Sequence, residues 1–252
     1  MSNELMKARD KLIVALDVDS ADQALDLFET LRETVNMFKV GMQLFTATGP
    51  DLVRRIVAGG GRVFLDLKYH DIPNTVALAA VEATRLGISI FNVHASGGAE
   101  MMRRAAEAVA ETAAKEGLAK PKVIAVTLLT SLNQQSLDQI GINGEPGSVV
   151  TRLARSAADC GLDGVVASPQ EIEIIRHTIS KPNFVIVTPG IRSSTNLSDD
   201  QRRTLTAAEA IRAGADYLVV GRPILNADDP VDEARKFVSE IEGSLQTSGQ
   251  HS

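Results

Sequence analysis

Cysteine is nearly missing: Cys160 is the only one in 252 residues. A single thiol excludes an intrachain disulfide and any thiolate metal cluster. It fits a reducing compartment, and Cys160 is expected to be a small buried residue in a helix. Long apolar runs are missing too. No stretch approaches the roughly 18 residues that a spanning helix needs, and the start MSNELMKARD has no apolar core of a signal peptide. A soluble, cytoplasmic protein with no membrane partner is expected. Nor is there a basic excess: 26 Lys and Arg face 32 Asp and Glu, for a net charge of -6 and a pI near 5.3. That balance argues against nucleic-acid binding, while local Lys and Arg groups can still hold a small anion. No Gly-x-Gly-x-x-Gly follows the first β-rich run, and no His pair has metal-ligand spacing. A doubly wound sheet, the alternative to a barrel, is therefore disfavoured, and no metal site is expected.

What is present is a regular alternation. Eight runs rich in Val and Ile read as strands: Lys11–Val18, Met37–Gly41, Arg62–Lys68, Ile88–Ala95, Lys122–Leu129, Asp163–Ser168, Asn183–Gly190 and Asp216–Arg222. Helical spacing appears in Ala21–Leu31, Val76–Leu86, Ala99–Ala114, Val149–Cys160, Pro169–His177, Ala207–Ala213 and Pro230–Ile241. Repeats of about 30 residues with continuously apolar strands predict an α/β fold, a (β/α)8 TIM barrel in a single domain. The barrel is expected over residues 1–242, with a disordered tail at 243–252.

In such a barrel the site lies at the C-terminal ends of the strands, and polar residues gather there. Asp17 ends the first run, Lys39 comes late in the second, and Asp66 and Lys68 end the third. His94, read as a scaffold residue, comes late in the fourth; Thr130 and Ser131 follow the fifth, Arg192 the seventh, and Gly221-Arg222 ends the eighth. Asp66 and Lys68 stand two apart, so strand alternation points both to one face. Burying Lys39, Asp66, Lys68 and Asp71 is tolerable only if their signs interleave, each unlike pair contributing roughly 4 kcal/mol at about 4 Å and an effective dielectric near 20. TPGIR (Thr188–Arg192) and VVGRPI (Val219–Ile224) supply backbone N–H groups and two arginines around strands seven and eight, the usual phosphate corner of these barrels. The polar segment Arg192–Arg203 reads as a mobile lid, with the Gln201 amide free to reach a ligand.

Taken together, IVALDV, FKVG, FLDLKYHDIPNT, NVHASGG, VTLLTS, TPGIR, DQRR and GADYLVVGRPI resemble the orotidine 5′-phosphate decarboxylase family, bacterial type, over nearly the whole chain. The resemblance implies cofactor-free decarboxylation of orotidine 5′-monophosphate by a homodimer with shared active sites. It implies that Asp17 binds a ribose hydroxyl, that Lys39 joins the charged array, that Asp66 lies beside the departing carboxylate, and that Lys68 protonates C6. Asp71 and Thr75 would reach the partner's site. Thr130 and Ser131 would contact the base edge and Pro189 its face. Gln201 would link base and phosphate, with Arg192, Gly221 and Arg222 on the phosphate. TAAEA (Thr206–Ala210) departs from the family's Thr-Pro-x-Glu-Ala, which costs a helix-start proline and no chemical group. The alternative is a related sugar-phosphate decarboxylase or synthase of the same barrel superfamily, which by resemblance uses magnesium.

Overall fold

The computed structural model describes residues 3–192 and 205–249. Eight parallel strands follow one another around a closed barrel in sequence order: β1 (Leu12–Ala15), β2 (Met37–Gly41), β3 (Arg62–Tyr69), β4 (Ile90–His94), β5 (Lys122–Val126), β6 (Gly164–Val166), β7 (Val185–Pro189) and β8 (Tyr217–Val220). The helices are α1 (Asn3–Lys11), α2 (Ala21–Leu31), α3 (Met42–Thr48), α4 (Pro50–Ala58), α5 (Pro73–Arg85), α6 (Ala99–Glu116), α7 (Gln134–Gln139), α8 (Pro146–Asp159), α9 (Ile172–Thr178), α10 (Ala207–Ala213), α11 (Arg222–Leu225) and α12 (Pro230–Gly249). The expected (β/α)8 architecture is therefore present. Among the described residues no helix is long and apolar enough to cross a membrane.

Residue contacts divide the chain into two compact units, Met1–Asp66 with Thr188–Ser252, and Leu67–Val187. In the first, β1 pairs with β2 (Ile13 with Met37, Ala15 with Lys39) and with β8, and β2 pairs with β3 (Lys39 with Phe64, Gly41 with Asp66). Phe38 meets Phe28 of α2 edge to face, with ring centroids 5.2 Å apart. Phe38 thus faces the helix layer, and strand alternation turns Met37 and Lys39 to the opposite face. Gly59 and Gly61 lie against the Phe28 ring so closely that a Cβ at Gly61 would come within 2.5 Å of it. Thr206 caps α10 through a reciprocal box with Glu209, and Gly214 at φ 111° ends it. The Glu209 carboxyl is held below its usual range by the backbone N–H and the hydroxyl of Thr206.

In the second unit β4, β5, β6 and β7 pair in parallel, with Asn92 opposite Ile124 and Val166 opposite Val187. Gly164 has no room for a Cβ, which would run into Val185 of the neighbouring strand. Helices α5 and α6 pack together along small residues, Ala77, Ala80 and Ala83 on one and Ala105 on the other being buried. Cys160 caps the end of α8 and is 7% exposed, its Sγ donating to the Ala99 carbonyl.

Several boundaries differ from the sequence reading. Lys11 lies in α1, and β1 stops at Ala15, so Asp17 stands beyond the strand. Helices α1, α3, α4, α7 and α11 were not anticipated. Gly49 at φ 66° and Pro50 break the segment between β2 and β3 into two short helices, which hides its period. The expected disordered tail is corrected over residues 243–249, where α12 continues. Ser244 there is buried, and its hydroxyl donates to the Ile241 carbonyl, so the polar side chain is satisfied by the helix itself. Residues 250–252 lie outside the described residues.

Candidate active site

Lys39 is the centre of the first unit's polar cluster. Its side chain is only 10% exposed, and its Nζ donates to Asp17 Oδ1 at 2.9 Å and pairs with Asp66 Oδ2 at 3.7 Å. The register explains the trio: β2 places Lys39 beside Ala15 of β1, two residues short of Asp17, and Gly41 beside Asp66 of β3. Gly41 also makes room, since a Cβ there would sit 3.0 Å from Lys39 Nζ and 3.6 Å from Asp17 Oδ1. The position a bound cation would fill between two carboxylates is thus taken by an ammonium. Among the described residues no three His, Cys, Asp or Glu side chains are grouped to hold a metal.

Gly221 lies on the other side of Asp17. A Cβ at Gly221 would come 3.4 Å from Asp17 Oδ2 and 3.3 Å from Ala15 Cβ, so the backbone passes close to the carboxylate. Arg222 opens α11 and is exposed. Pro189 ends β7 half-buried. The Arg192 N–H donates to the Leu205 carbonyl at 3.3 Å, and Arg192 bridges to Thr206. The flanks of the 193–204 segment are therefore joined. Gln201 and the rest of the expected lid after Arg192 lie outside the described residues.

The second unit holds Lys68, half-buried near the end of β3. Its backbone is in the left-handed region at φ 52°. Side chains other than Gly, Asn and Asp rarely adopt it, at a cost of about 1–2 kcal/mol. Regular alternation, which the sequence reading used to orient Lys68, therefore stops at this residue. The Lys68 N–H donates to Asn92 Oδ1 at 2.8 Å, and Asn92 is fully buried on β4. A buried N–H left without an acceptor costs about 1–3 kcal/mol, so this bond is of the same order as the strain it accompanies. Tyr69, next in sequence, packs edge-on against Phe91, and burial raises its phenol above the ordinary range. The His70 and His94 rings lie 5.4 Å apart.

Asp71 is exposed beyond the strand, its Oδ1 accepting from the Ile72 N–H at 2.6 Å. Pro73 then opens α5 and carries Thr75 on the first turn, also exposed. Thr130 and Ser131 occupy an exposed turn between β5 and α7. Lys39, Asp17 and Asp66 are thus brought together with Gly221 alongside, whereas Asp71 and Thr75 project outward. Asn92 was missed by the sequence reading. Its signal was an amide in the middle of the strand IFNVH, between the apolar Phe91 and Val93.

A parallel barrel with a preorganised row of charge at its strand ends defines an enzyme-like scaffold. A family model described as "Orotidine 5'-phosphate decarboxylase / HUMPS family" matches residues 10–237. A relative named orotidine 5′-phosphate decarboxylase from Syntrophotalea carbinolica is 52% identical over 96% of this chain and 99% of its own. Another of the same name, from Geobacter sulfurreducens, is 52% identical over 93% of this chain and 97% of its own. A crystal structure of orotidine 5′-phosphate decarboxylase from Lactobacillus acidophilus superposes with a TM-score of 0.82 at 35% identity, covering 92% of this chain and 99% of that one. The chain belongs to the orotidine 5′-phosphate decarboxylase / HUMPS family.

Proposed function

We propose that the protein converts orotidine 5′-monophosphate to uridine 5′-monophosphate and carbon dioxide, the last step of de novo pyrimidine biosynthesis, without a cofactor. The observation that carries this reading is the Asp17–Lys39–Asp66 chain at the barrel's strand ends, in a chain 52% identical to relatives of that name. The same relatives favour the decarboxylase over a sugar-phosphate enzyme of the superfamily.

In this reaction the bond from C6 to the carboxylate breaks, carbon dioxide leaves, and the electron pair stays on C6. Lys68 stabilises that carbanion by its charge and then transfers its proton to C6, after which water restores the ammonium. Asp66 stands beside the departing carboxylate, and Lys39 keeps Asp66 and Asp17 ionised and fixed before substrate arrives. Asp17 accepts from a ribose hydroxyl. Arg192, Arg222 and the Gly221 backbone hold the phosphate, Gln201 closes over it, and Pro189, Thr130 and Ser131 border the base. Binding energy from the remote phosphate is then used at the reacting carbon.

The catalytic unit is a cytoplasmic homodimer in which Asp71 and Thr75 complete the partner's site. Supporting this, Ile72 and Leu78 beside them expose 67% and 60% of their surface, an apolar margin suited to a second copy. The lone thiol, Cys160, is buried, as suits a reducing compartment.

The test is an absorbance assay on orotidine 5′-monophosphate. Lys68→Ala should lower kcat by at least about 10³-fold, and full activity in that variant would remove Lys68 from the chemistry. Mixing inactive Asp71→Ala and Lys68→Ala subunits should restore activity, because each hybrid dimer carries one intact site. No recovery after confirmed subunit exchange would end the shared-site reading.

A further inference from the structure

We infer that Asn92 is a positioning residue, whose buried side-chain oxygen holds the backbone of Lys68 in its left-handed conformation and so aims the Lys68 ammonium. The inference rests on the reading of Lys68 as proton donor. Three observations converge on it. Lys68 has a φ of 52°, and among the described residues the only other non-glycine with positive φ is Asn183. The two are not equivalent, because asparagine tolerates this region and lysine does not. Second, the acceptor for the Lys68 N–H is a side-chain amide at 2.8 Å. Third, Asn92 is 0% exposed and flanked by Phe91 and Val93, both also fully buried, so it is fixed by packing on β4.

The purpose follows from geometry. In a regular strand the direction of residue 68 is dictated by the pleat. A turn into the left-handed region frees it from the pleat, but leaves its N–H in need of a dedicated acceptor and its conformation in need of support. Asn92 supplies both through one bond. With the acceptor gone, the backbone at 68 relaxes toward the extended region and the ammonium swings away from the reacting carbon. Substrate binding, which depends on groups elsewhere, is spared.

The test compares Asn92→Ala with Asn92→Asp, which keeps an acceptor oxygen in the same place. For Asn92→Ala, kcat should fall about 10–100-fold while KM for orotidine 5′-monophosphate changes less than about threefold, the signature of lost alignment rather than lost affinity. Asn92→Asp should recover most of that kcat. A folded Asn92→Ala protein with parental kcat, or one whose loss lies wholly in KM, overturns the inference. If Asn92→Ala does not fold, Asn92→Asp decides: kcat within about tenfold of the parent supports the role, and a loss as deep as that of Lys68→Ala overturns it.

A second readout does not involve catalysis. In a Lys68→Gly background, where the left-handed backbone needs no support, the loss of thermal midpoint caused by Asn92→Ala should shrink by at least half. An undiminished loss means that Asn92 serves general packing. This comparison keeps its meaning even if Lys68→Ala proves active, so failure of the proton-donor reading is distinguishable from failure of the Asn92 role.

Discussion

Lys39 and Lys68 sit on neighbouring strands, and their backbones are held differently. Lys39 lies in regular strand and is fixed through its side chain, its ammonium sealed between Asp17 and Asp66. Lys68 is half-buried, and a strained backbone is fixed through its N–H to the neutral amide of Asn92. The difference corresponds to two tasks. A charge that only has to be present is best clamped by ion pairs that offset its desolvation. For a group that must deliver a proton, a backbone held in a fixed conformation sets the direction in which its side chain leaves the strand.

After Lys68→Ala, the largest effect expected from disturbing this contrast comes from Lys39→Met, which keeps the volume and deletes the charge. Asp17 and Asp66 would lose their common counter-ion, and activity should fall about 10²-fold. The same change should cost about 1–3 kcal/mol of stability, held to the lower part of the buried-pair range because the Asp17 side chain is 53% exposed. Urea denaturation measures the second quantity and the decarboxylation assay the first. An active, fully stable Lys39→Met protein would mean that the clamp is ornamental and that the two lysines do not divide the work.

The residues of the clamp could be read in the sequence, although Lys39 was expected to interleave with Asp66, Lys68 and Asp71 and its pairing with Asp17 was not anticipated. The steering could not be read. Lys39, Asp66 and Asp17 were visible because a charged side chain at or just past the end of an apolar strand is an anomaly with few solutions. The barrel itself was visible for the same reason, since eight Val- and Ile-rich runs at even spacing admit few other arrangements. Backbone conformation at Lys68 left no such trace: nothing in DLKYHD marks φ 52°, a residue type that avoids the left-handed region giving no warning that it occupies it. Asn92 stood out as an amide within β4, but its partner was hidden because that partner is an N–H, which every residue but proline carries. Helices α3 and α4 escaped because each is shorter than three turns and Gly49-Pro50 interrupts the phase between them.

The contrast can be sharpened by a pair of substitutions of smaller effect, glycine against alanine at each lysine. At Lys39, in regular strand, glycine should be the worse replacement by about 0.5–1 kcal/mol, because it loses more backbone entropy on folding. At Lys68 the same entropic loss is opposed by release of about 1–2 kcal/mol of left-handed strain that alanine retains. The order should therefore invert, with Lys68→Gly more stable than Lys68→Ala by up to about 1 kcal/mol. Denaturation midpoints of the four single variants give both differences in one experiment, and removing the ammonium cancels within each pair. The same sign at both positions would show that the strand at Lys68 relaxes once the side chain is shortened. In that case the strain belongs to the lysine side chain and its contacts, and the backbone is not what steers it.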